Sequence, residues 1–421
     1  MTALGPDAAH SFHVLARAAR QAAGLLARSP ADQRSAAIAA AARAIRRRAA
    51  EILAANEADL AAAASLSAAF RDRLTLTPAR IEAMAKGVEE VAAQPDPVNR
   101  VLAEWTRPNG LRIRRVAQPI GVIGMIYESR PNVTADAAAI CLRSGNAVIL
   151  RGGSESLHSS RAIHAAMAEG LRAAGLPEAA VTIAPDADRA FVGAMLKGAG
   201  LIDLLIPRGG KGLVTRVLEE ARVPVLAHAE GLCHTFVHAA ADREMARRVV
   251  ANAKMRRPGI CGATETLLVD AAIAEEILPL IVADLAALGC SFRADARARA
   301  IVPDLPPASE QDFATEWLDA VLSVAVVDGV DGALAHIRRY GSEHTDAIIT
   351  EDPAAAQAFL DGLSSAVGMW NASTQFCDGG EFGFGAEIGI ATGRLHARGP
   401  VGAEQLCTFR YHVIGTGQVR P

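Results

Sequence analysis

Aromatic residues are scarce in this chain: Phe, Trp and Tyr together make up 4% of 421 residues. A base-stacking platform for single-stranded nucleic acid needs such faces, so that class is disfavoured. A basic surplus is missing too. The 43 Lys and Arg are balanced by 46 Asp and Glu, for a formal net charge of −3, and no dedicated nucleic-acid surface is expected. No uninterrupted apolar run reaches the ~18 residues that a membrane-spanning helix requires. Asp7, Arg17 and Arg20 precede any apolar segment, which excludes a secretory signal. The Arg-rich stretch Val14–Arg28 reads either as a transit peptide or, better, as a first surface helix.

Close cysteine pairs are also absent. The six cysteines stand at 141, 233, 261, 290, 377 and 407, so there is no CxxC metal or redox pair and no metal centre is expected. Scattered single cysteines in a chain of this size read as reduced thiols of a cytoplasmic protein. One of them is a candidate nucleophile, while Cys141 and Cys290 read as small buried hydrophobes. The motifs GxGxxG, GxxxxGK[ST], HExxH and GxSxG do not occur, which weighs against dinucleotide folds of the usual fingerprint, P-loop kinases, zincins and α/β-hydrolases.

What is present is an apolar content of 51%, mostly Ala, Val, Leu and Ile. That composition suits helices packed on parallel strands, in a chain long enough for more than one domain. The first ninety residues read as helices. Ser29-Pro30-Ala31-Asp32 places a cap, a Pro and an acid at one helix start, and Thr77-Pro78 repeats the device before a helix to about Ala93. Pro95 and Pro97 break that helix. Val101–Arg107 and Leu111–Val116 flank Pro108-Asn109-Gly110 as a hairpin, with Asn-Gly suiting a type I′ turn. From Pro119 short apolar strands alternate with helices. Strands are expected over Gly121–Tyr127, Ala147–Arg151, Ala180–Ala184, Leu201–Ile206 and Pro224–Ala229, then over Glu265–Val269, Ala320–Val327, Asp346–Thr350, Ser365–Trp370 and Gln405–Val413. Helices are expected over Thr134–Arg143, Ser159–Ala174, Leu213–Ala221, Asp242–Lys254 and Ala271–Leu288. The alternation is the signature of an α/β protein with a parallel, doubly covered sheet. Cys377–Gly402 reads as glycine-rich and irregular, and no internal repeat is visible.

Two glycine-rich turns carry cations, Arg151-Gly152-Gly153-Ser154 and Pro207-Arg208-Gly209-Gly210-Lys211-Gly212. They read either as ordinary loops or as backbone cradles for a phosphate-bearing cofactor.

The run PIGVIGMIYESRPNVTADAAAICLRSGNAVILRGG (119–153) resembles the γ-glutamyl phosphate reductases, or glutamate-5-semialdehyde dehydrogenases, of the aldehyde dehydrogenase superfamily. PRGGKGL (207–213), HAEGLCHTFV (228–237), NAKMRRPGICGATETLLV (252–269), YGSEHTDAIITED (340–352) and GGEFGFGAEIGIATGRLHARGP (379–400) continue the resemblance in order. It implies an aldehyde dehydrogenase-like α/β fold with a Rossmann-like NADP-binding domain (1–100 and 119–229), an α/β catalytic domain (230–392) and a β oligomerisation element (101–118 and 393–421). It also implies a cytoplasmic homodimer or homotetramer that takes L-glutamyl 5-phosphate from a glutamate 5-kinase in proline synthesis.

The resemblance assigns Cys261 as the nucleophile, its thiolate attacking the acyl phosphate and leaving again from a thioester. The Cys261 N–H is one expected oxyanion donor; Asn132 either supplies a second or caps the helix starting near Thr134. Glu230 either tunes the cysteine, orients a group near the nicotinamide, or is a strand-end carboxylate with no role. For the cofactor, Arg151 faces the adenosine ribose or its 2′-phosphate, which favours NADP (NADPH) over NAD. Gly209 and Gly210 let the cofactor approach backbone, and Glu316 either holds the nicotinamide ribose or ends a helix. Arg130, Lys254, Arg398 and Glu128 sit in matching motifs and are candidates for the substrate's charged groups. Three positions depart from the family pattern: Gly262 where Asn is usual, Arg256 where Gln is usual, and Gln375 where Arg is usual. Two other readings compete: a hydrolytic aldehyde dehydrogenase acting on a small aldehyde, and a catalytically silent relative that serves as a binding protein.

Overall fold

A computed structural model describes residues 6–63, 68–227 and 230–420. The chain divides into two compact units. One comprises residues 1–227, 383–389 and 401–421; the other comprises 228–382 and 390–400. Among the described residues no helix is long and apolar enough to cross a membrane.

The first unit opens with helices α1 (Pro6–Leu26), α2 (Ala31–Arg47), α3 (Ala49–Ala62), α4 (Ala68–Leu74) and α5 (Pro78–Ala93). Phe12, Ala16, Ala19 and Leu26 of α1 are fully buried while Val14 and Leu25 are exposed, the one-sided pattern of a helix packed on the unit. Thr77 caps α5 as expected, its hydroxyl accepting from the Arg80 N–H at 3.2 Å. Ser29 does not cap α2. Its hydroxyl donates back to Leu26 O at 2.7 Å, and Pro30 holds the cap position.

Strands β1 (Val101–Thr106) and β2 (Arg112–Pro119) form the antiparallel hairpin. Its turn is not type I′. Gly110 N donates to Arg107 O at 2.9 Å and only Gly110 takes a left-handed φ, of 85°. Pro108 locks the first central residue at negative φ, so the chain makes an ordinary turn and lets Gly110 absorb the bulge.

After the hairpin, β3 (Val122–Tyr127), α6 (Val133–Arg143), β4 (Ala147–Arg151), α7 (Leu157–Ala173), β5 (Val181–Ile183), α8 (Arg189–Leu196), β6 (Leu204–Arg208) and α9 (Lys211–Glu220) alternate. Their four strands form a parallel sheet in the order β5-β4-β3-β6. Every residue of β3 and β4 is buried, which is why both read as unbroken apolar runs. The expected strand at 224–229 does not form. Val225 makes one isolated bridge to Leu205, and 228–229 lie outside the described residues.

The second unit runs through β7 (Cys233–Val237), α10 (Arg243–Met255), β8 (Thr264–Asp270), α11 (Ala274–Ala287), β9 (Ser291–Ala294), α12 (Ala296–Ile301), α13 (Glu310–Phe313), β10 (Val321–Val327), α14 (Gly329–Tyr340), β11 (Thr345–Ile349), α15 (Pro353–Gly362) and β12 (Val367–Trp370). Its six strands are all parallel, in the order β12-β11-β7-β8-β10-β9. One face packs Val250, Leu267, Ile277, Ile281 and Val324; the other packs Phe236, Leu268, Ile337, Ile348 and Phe359. The short pair β13 (Ile390–Ala391) and β14 (Gly399–Pro400) belongs to this unit. In the first unit, β15 (Cys407–Ile414) pairs antiparallel with β2 and completes a three-stranded sheet β1-β2-β15.

Candidate active site

In the first unit the strand order reverses between β3 and β6, and the crevice outside the carboxyl ends of strands at such a reversal is where α/β sheets bind ligands. Glu128 follows β3 there, and Gly209-Gly210 follow β6. Gly210 N donates to Glu128 Oε2 at 3.0 Å. A Cβ at Gly209 would lie 2.5 Å from the same oxygen, so a side chain there would displace the Glu128 carboxylate from this contact. Both glycines are exposed, and Gly210 is the cap position of α9, whose first N–H groups favour negative charge.

Arg151 ends β4, beside β3. Its guanidinium donates to Gly152 O at 2.8 Å and to Ala187 O at 2.7 Å, while the buried Nε has no partner among the described residues. Burial holds this guanidinium below its ordinary range.

The loop after β3 is held by Ser129, at φ 46°, whose N–H and hydroxyl both donate to Glu155 Oε1, at 2.7 and 2.8 Å. Arg130, half-buried, follows directly. Asn132 occupies the cap position of α6, but its side chain makes no cap bond; the capping alternative is therefore wrong. The reason lies in the backbone, since Asn132 already has helical angles (φ −58°, ψ −28°) and not the extended ones of a capping residue; its Nδ2 donates to Asp136 Oδ2 at 2.9 Å. Burial pushes the Asp136 carboxyl up to about 6, against the hydrogen bond from Asn132.

In the second unit the functional residues gather at the amino ends of the central strands. Cys261 lies in the turn between α10 and β8 and is half-exposed, whereas Cys141, Cys233, Cys290 and Cys377 are buried. Burial alone pushes Cys141 upward, and it raises Cys290 to about 11 and Cys407 to about 12. Those thiols stay protonated near neutral pH and are poor nucleophiles. The Cys261 N–H is taken up by no main-chain carbonyl among the described residues, so it is open to an oxyanion. The Cys261 carbonyl is fixed from behind by the Cys233 thiol, which donates to it at 3.1 Å and lies 3.5 Å from His344 Nδ1.

Gly231 packs directly on the nucleophile: a Cβ there would stand 2.2 Å from Cys261 O and 2.7 Å from its Cα and Cβ. Glu316 reaches the same place, Oε1 accepting from Gly231 N at 2.8 Å. Glu230, half-buried, is the preceding residue. The structure thus brings Cys261, Gly231 and Glu316 together in one unit.

Lys254 and Arg398, expected at the substrate, differ in exposure, Lys254 being enclosed and Arg398 half-buried. Lys254 is 0% exposed, with Nζ 2.6 Å from Glu265 Oε2, and an ammonium so enclosed offers no free donor face. Arg398 donates to Ser364 O at 2.7 Å, to Thr392 O at 3.0 Å and to Glu343 Oε2 at 3.2 Å, which ties β14 to the neighbouring loops.

The two departures at 256 and 375 meet each other. Arg256 Nη1 donates to Gln375 Oε1 at 3.2 Å, and Gln375 Nε2 donates to Ala253 O at 2.8 Å. The two positions singled out in the sequence are thus hydrogen-bonded to each other. Gly262 lies 3.3 Å, measured from an ideal Cβ, from Thr374 O, so a side chain there would need only a small shift.

Residues 7–300 match the aldehyde dehydrogenase family. The γ-glutamyl phosphate reductase of Gluconobacter oxydans (strain 621H) is 71% identical over 98% of this chain and 97% of its own length. That of Acidiphilium cryptum (strain JF-5) is 67% identical over 99% of each chain. The crystal structure of γ-glutamyl phosphate reductase from Thermotoga maritima superposes with a TM-score of 0.95 at 43% identity, covering 98% of this chain and 100% of that one. An acetylating aldehyde dehydrogenase from Geobacillus thermoglucosidasius, 18% identical with a TM-score of 0.69 over 100% of both chains, shares the fold.

Proposed function

The chain belongs to the γ-glutamyl phosphate reductase family of the aldehyde dehydrogenases, and on that premise we propose how its residues carry out the reduction of L-glutamyl 5-phosphate to L-glutamate 5-semialdehyde and phosphate in proline synthesis. The observation that carries the assignment is the turn at Cys261, with an accessible thiol, an open N–H and a carbonyl pinned by Cys233. The Cys261 thiolate attacks the γ-carbonyl carbon, the C–O bond to phosphate breaks, and a thioester remains on the enzyme. Negative charge builds on the carbonyl oxygen in this step and again in the reduction, where the Cys261 N–H and the Asn132 amide are the donors we assign. NADPH, where bound, would supply a hydride to the thioester carbonyl carbon; breaking of the C–S bond in the resulting adduct would release the aldehyde and return the Cys261 thiolate.

The glycine turn at 209–210, before the α9 amino end, and the unpaired Arg151 Nε fit a nicotinamide dinucleotide with a phosphate on its adenosine ribose. Glu316, already accepting from Gly231 N, is suited to the nicotinamide ribose. Glu230 orients groups beside the cysteine and activates no water, because phosphate and not water must be the acyl acceptor in reverse. Arg130 and Glu128 are the candidates for the substrate's carboxylate and ammonium. Exposed Trp105, Tyr411 and Val413 on the β1-β2-β15 sheet support homo-oligomer assembly through that edge. A glutamate 5-kinase supplying the labile acyl phosphate in the cytoplasm completes the proposal.

The test is oxidation of glutamate 5-semialdehyde by the purified protein, with NADP or NAD and with or without phosphate. Steady turnover that requires phosphate and prefers NADP supports the reading. Steady turnover without phosphate identifies a hydrolytic enzyme, and absence of any turnover identifies a silent relative.

A further inference from the structure

A fully buried ion pair brackets the nucleophile turn. Lys254 sits in the last turn of α10, seven residues before Cys261, and Glu265 is the second residue of β8, four after it. They are 0% and 1% exposed and 2.6 Å apart. Stability alone does not call for such a pair, because desolvating two charges offsets much of their attraction, and apolar residues of similar volume serve as well or better. What an apolar pair lacks is the carboxylate's second oxygen. Glu265 Oε1 accepts from the Leu318 N–H at 3.1 Å, and Leu318 holds a left-handed φ of 51°, a conformation costly for a branched side chain unless its surroundings impose it.

The contacts close into a ring. Lys254 fixes Glu265, and Glu265 fixes Leu318. Two residues back, Glu316 accepts from Gly231 N, and Gly231 lies against the Cys261 backbone. From this ring we infer that Lys254 and Glu265 are positioning residues, holding the Glu316–Leu318 loop and the Cys261 turn in one register so that the nucleophile and the cofactor-binding glutamate keep their relative placement. This rests on the reading of Cys261 as nucleophile and Glu316 as a cofactor contact. The second oxygen of Glu265 gives the Leu318 N–H an acceptor that an apolar pair of the same volume would not.

The test compares two double variants that remove the same charges. K254M/E265Q keeps an amide oxygen for the Leu318 N–H; K254M/E265L does not. We expect K254M/E265L to show a KM for NADPH at least tenfold above that of K254M/E265Q, and a Cys261 alkylation rate by iodoacetamide changed at least fivefold, at equal melting temperatures. Glu265→Asp, which keeps the charge but is too short to reach both partners, should raise the KM for NADPH and leave the melting temperature near that of the native chain. It serves equally if K254M/E265L does not fold. Equal KM and equal alkylation rates in the two doubles, or a Glu265→Asp variant that changes only the melting temperature, would overturn the inference. Cys261 alkylation is read without any turnover, so it judges this inference separately from the assigned reaction.

Discussion

Gly231 offers the sharpest steric test of how the nucleophile is held. An alanine Cβ would stand 2.2 Å from Cys261 O, where ordinary contact begins at 3.4 Å. Relieving that overlap moves the Cys261 turn by about 1 Å, since the obstacle is backbone and cannot rotate aside. Its position lies outside the left-handed region, so the effect is packing alone. Displacing a reacting group by ~1 Å costs on the order of 10²-fold in rate, or about 2.7 kcal/mol of transition-state stabilisation. Overpacking costs about 1–3 kcal/mol of stability. We therefore expect Gly231→Ala to lower kcat about 100-fold while the protein stays folded. A control is Gly87→Ala in α5, where no atom lies within 4 Å and helix propensity adds roughly 0.5–1 kcal/mol of stability. Steady-state kinetics with a thermal melt on both variants decides the matter. A Gly231→Ala enzyme within threefold of native kcat would refute the claim that this contact sets the nucleophile's position.

Three other outcomes follow from the geometry. Arg256→Gln and Gln375→Arg should each lower stability in denaturant melts, and the double variant should recover with a coupling of about 0.5–3 kcal/mol; simple additivity would show that the two departures are unrelated. The folded Asp136 carboxyl, at about 6 against an ordinary 3.8, binds its proton more tightly than in the unfolded chain, so its contribution is full below the ordinary value and is lost as pH rises through about 6. Asp136→Asn should remove that fall, and a stability–pH profile parallel to the native one would contradict it. Arg151→Met should raise the KM for NADPH about tenfold and that for NADH much less, since a guanidinium fork is matched to a phosphate dianion; equal effects on both would remove Arg151 from the ribose phosphate.

Where burial dominates, the sequence was readable. β3 and β4 are continuous apolar runs because both faces of their sheet are covered, and the switch from one helix-rich segment to alternation at Pro119 marks where that sheet begins. β7 escaped notice because Cys-His-Thr interrupts its apolar pattern, although all five residues are buried; His234 Nδ1 pairs with Asp346, Thr235 with Thr264 and the Cys233 thiol with Cys261 O, which only the fold reveals. The short strand β9 and helices α8, α14 and α15 were also passed over, although Asp188 and Asp352 cap α8 and α15, Pro353 opens α15, and α14 buries Ala333, Leu334 and Ile337 along one face. Cys261 was singled out as candidate nucleophile by the motif around it, and the structure leaves it half-exposed in the turn before β8. Glu265 was not: a single carboxylate in Thr-Glu-Thr-Leu-Leu-Val looks like an exposed strand position, and its partner is a turn away in a helix. Arg256 and Gln375 were visible as two separate departures, but their contact appears only when residues 119 apart in sequence meet.

The most direct test of the thioester mechanism is a rapid-mixing experiment on glutamate 5-semialdehyde and NADP without phosphate. The account predicts a burst of NADPH close to one equivalent per subunit, one glutamyl group on Cys261 by peptide mass spectrometry, and release of that group when phosphate is added. Cys261→Ser should show no burst. A burst followed by steady turnover in the absence of phosphate, or an acyl group carried by any residue other than Cys261, would contradict the account.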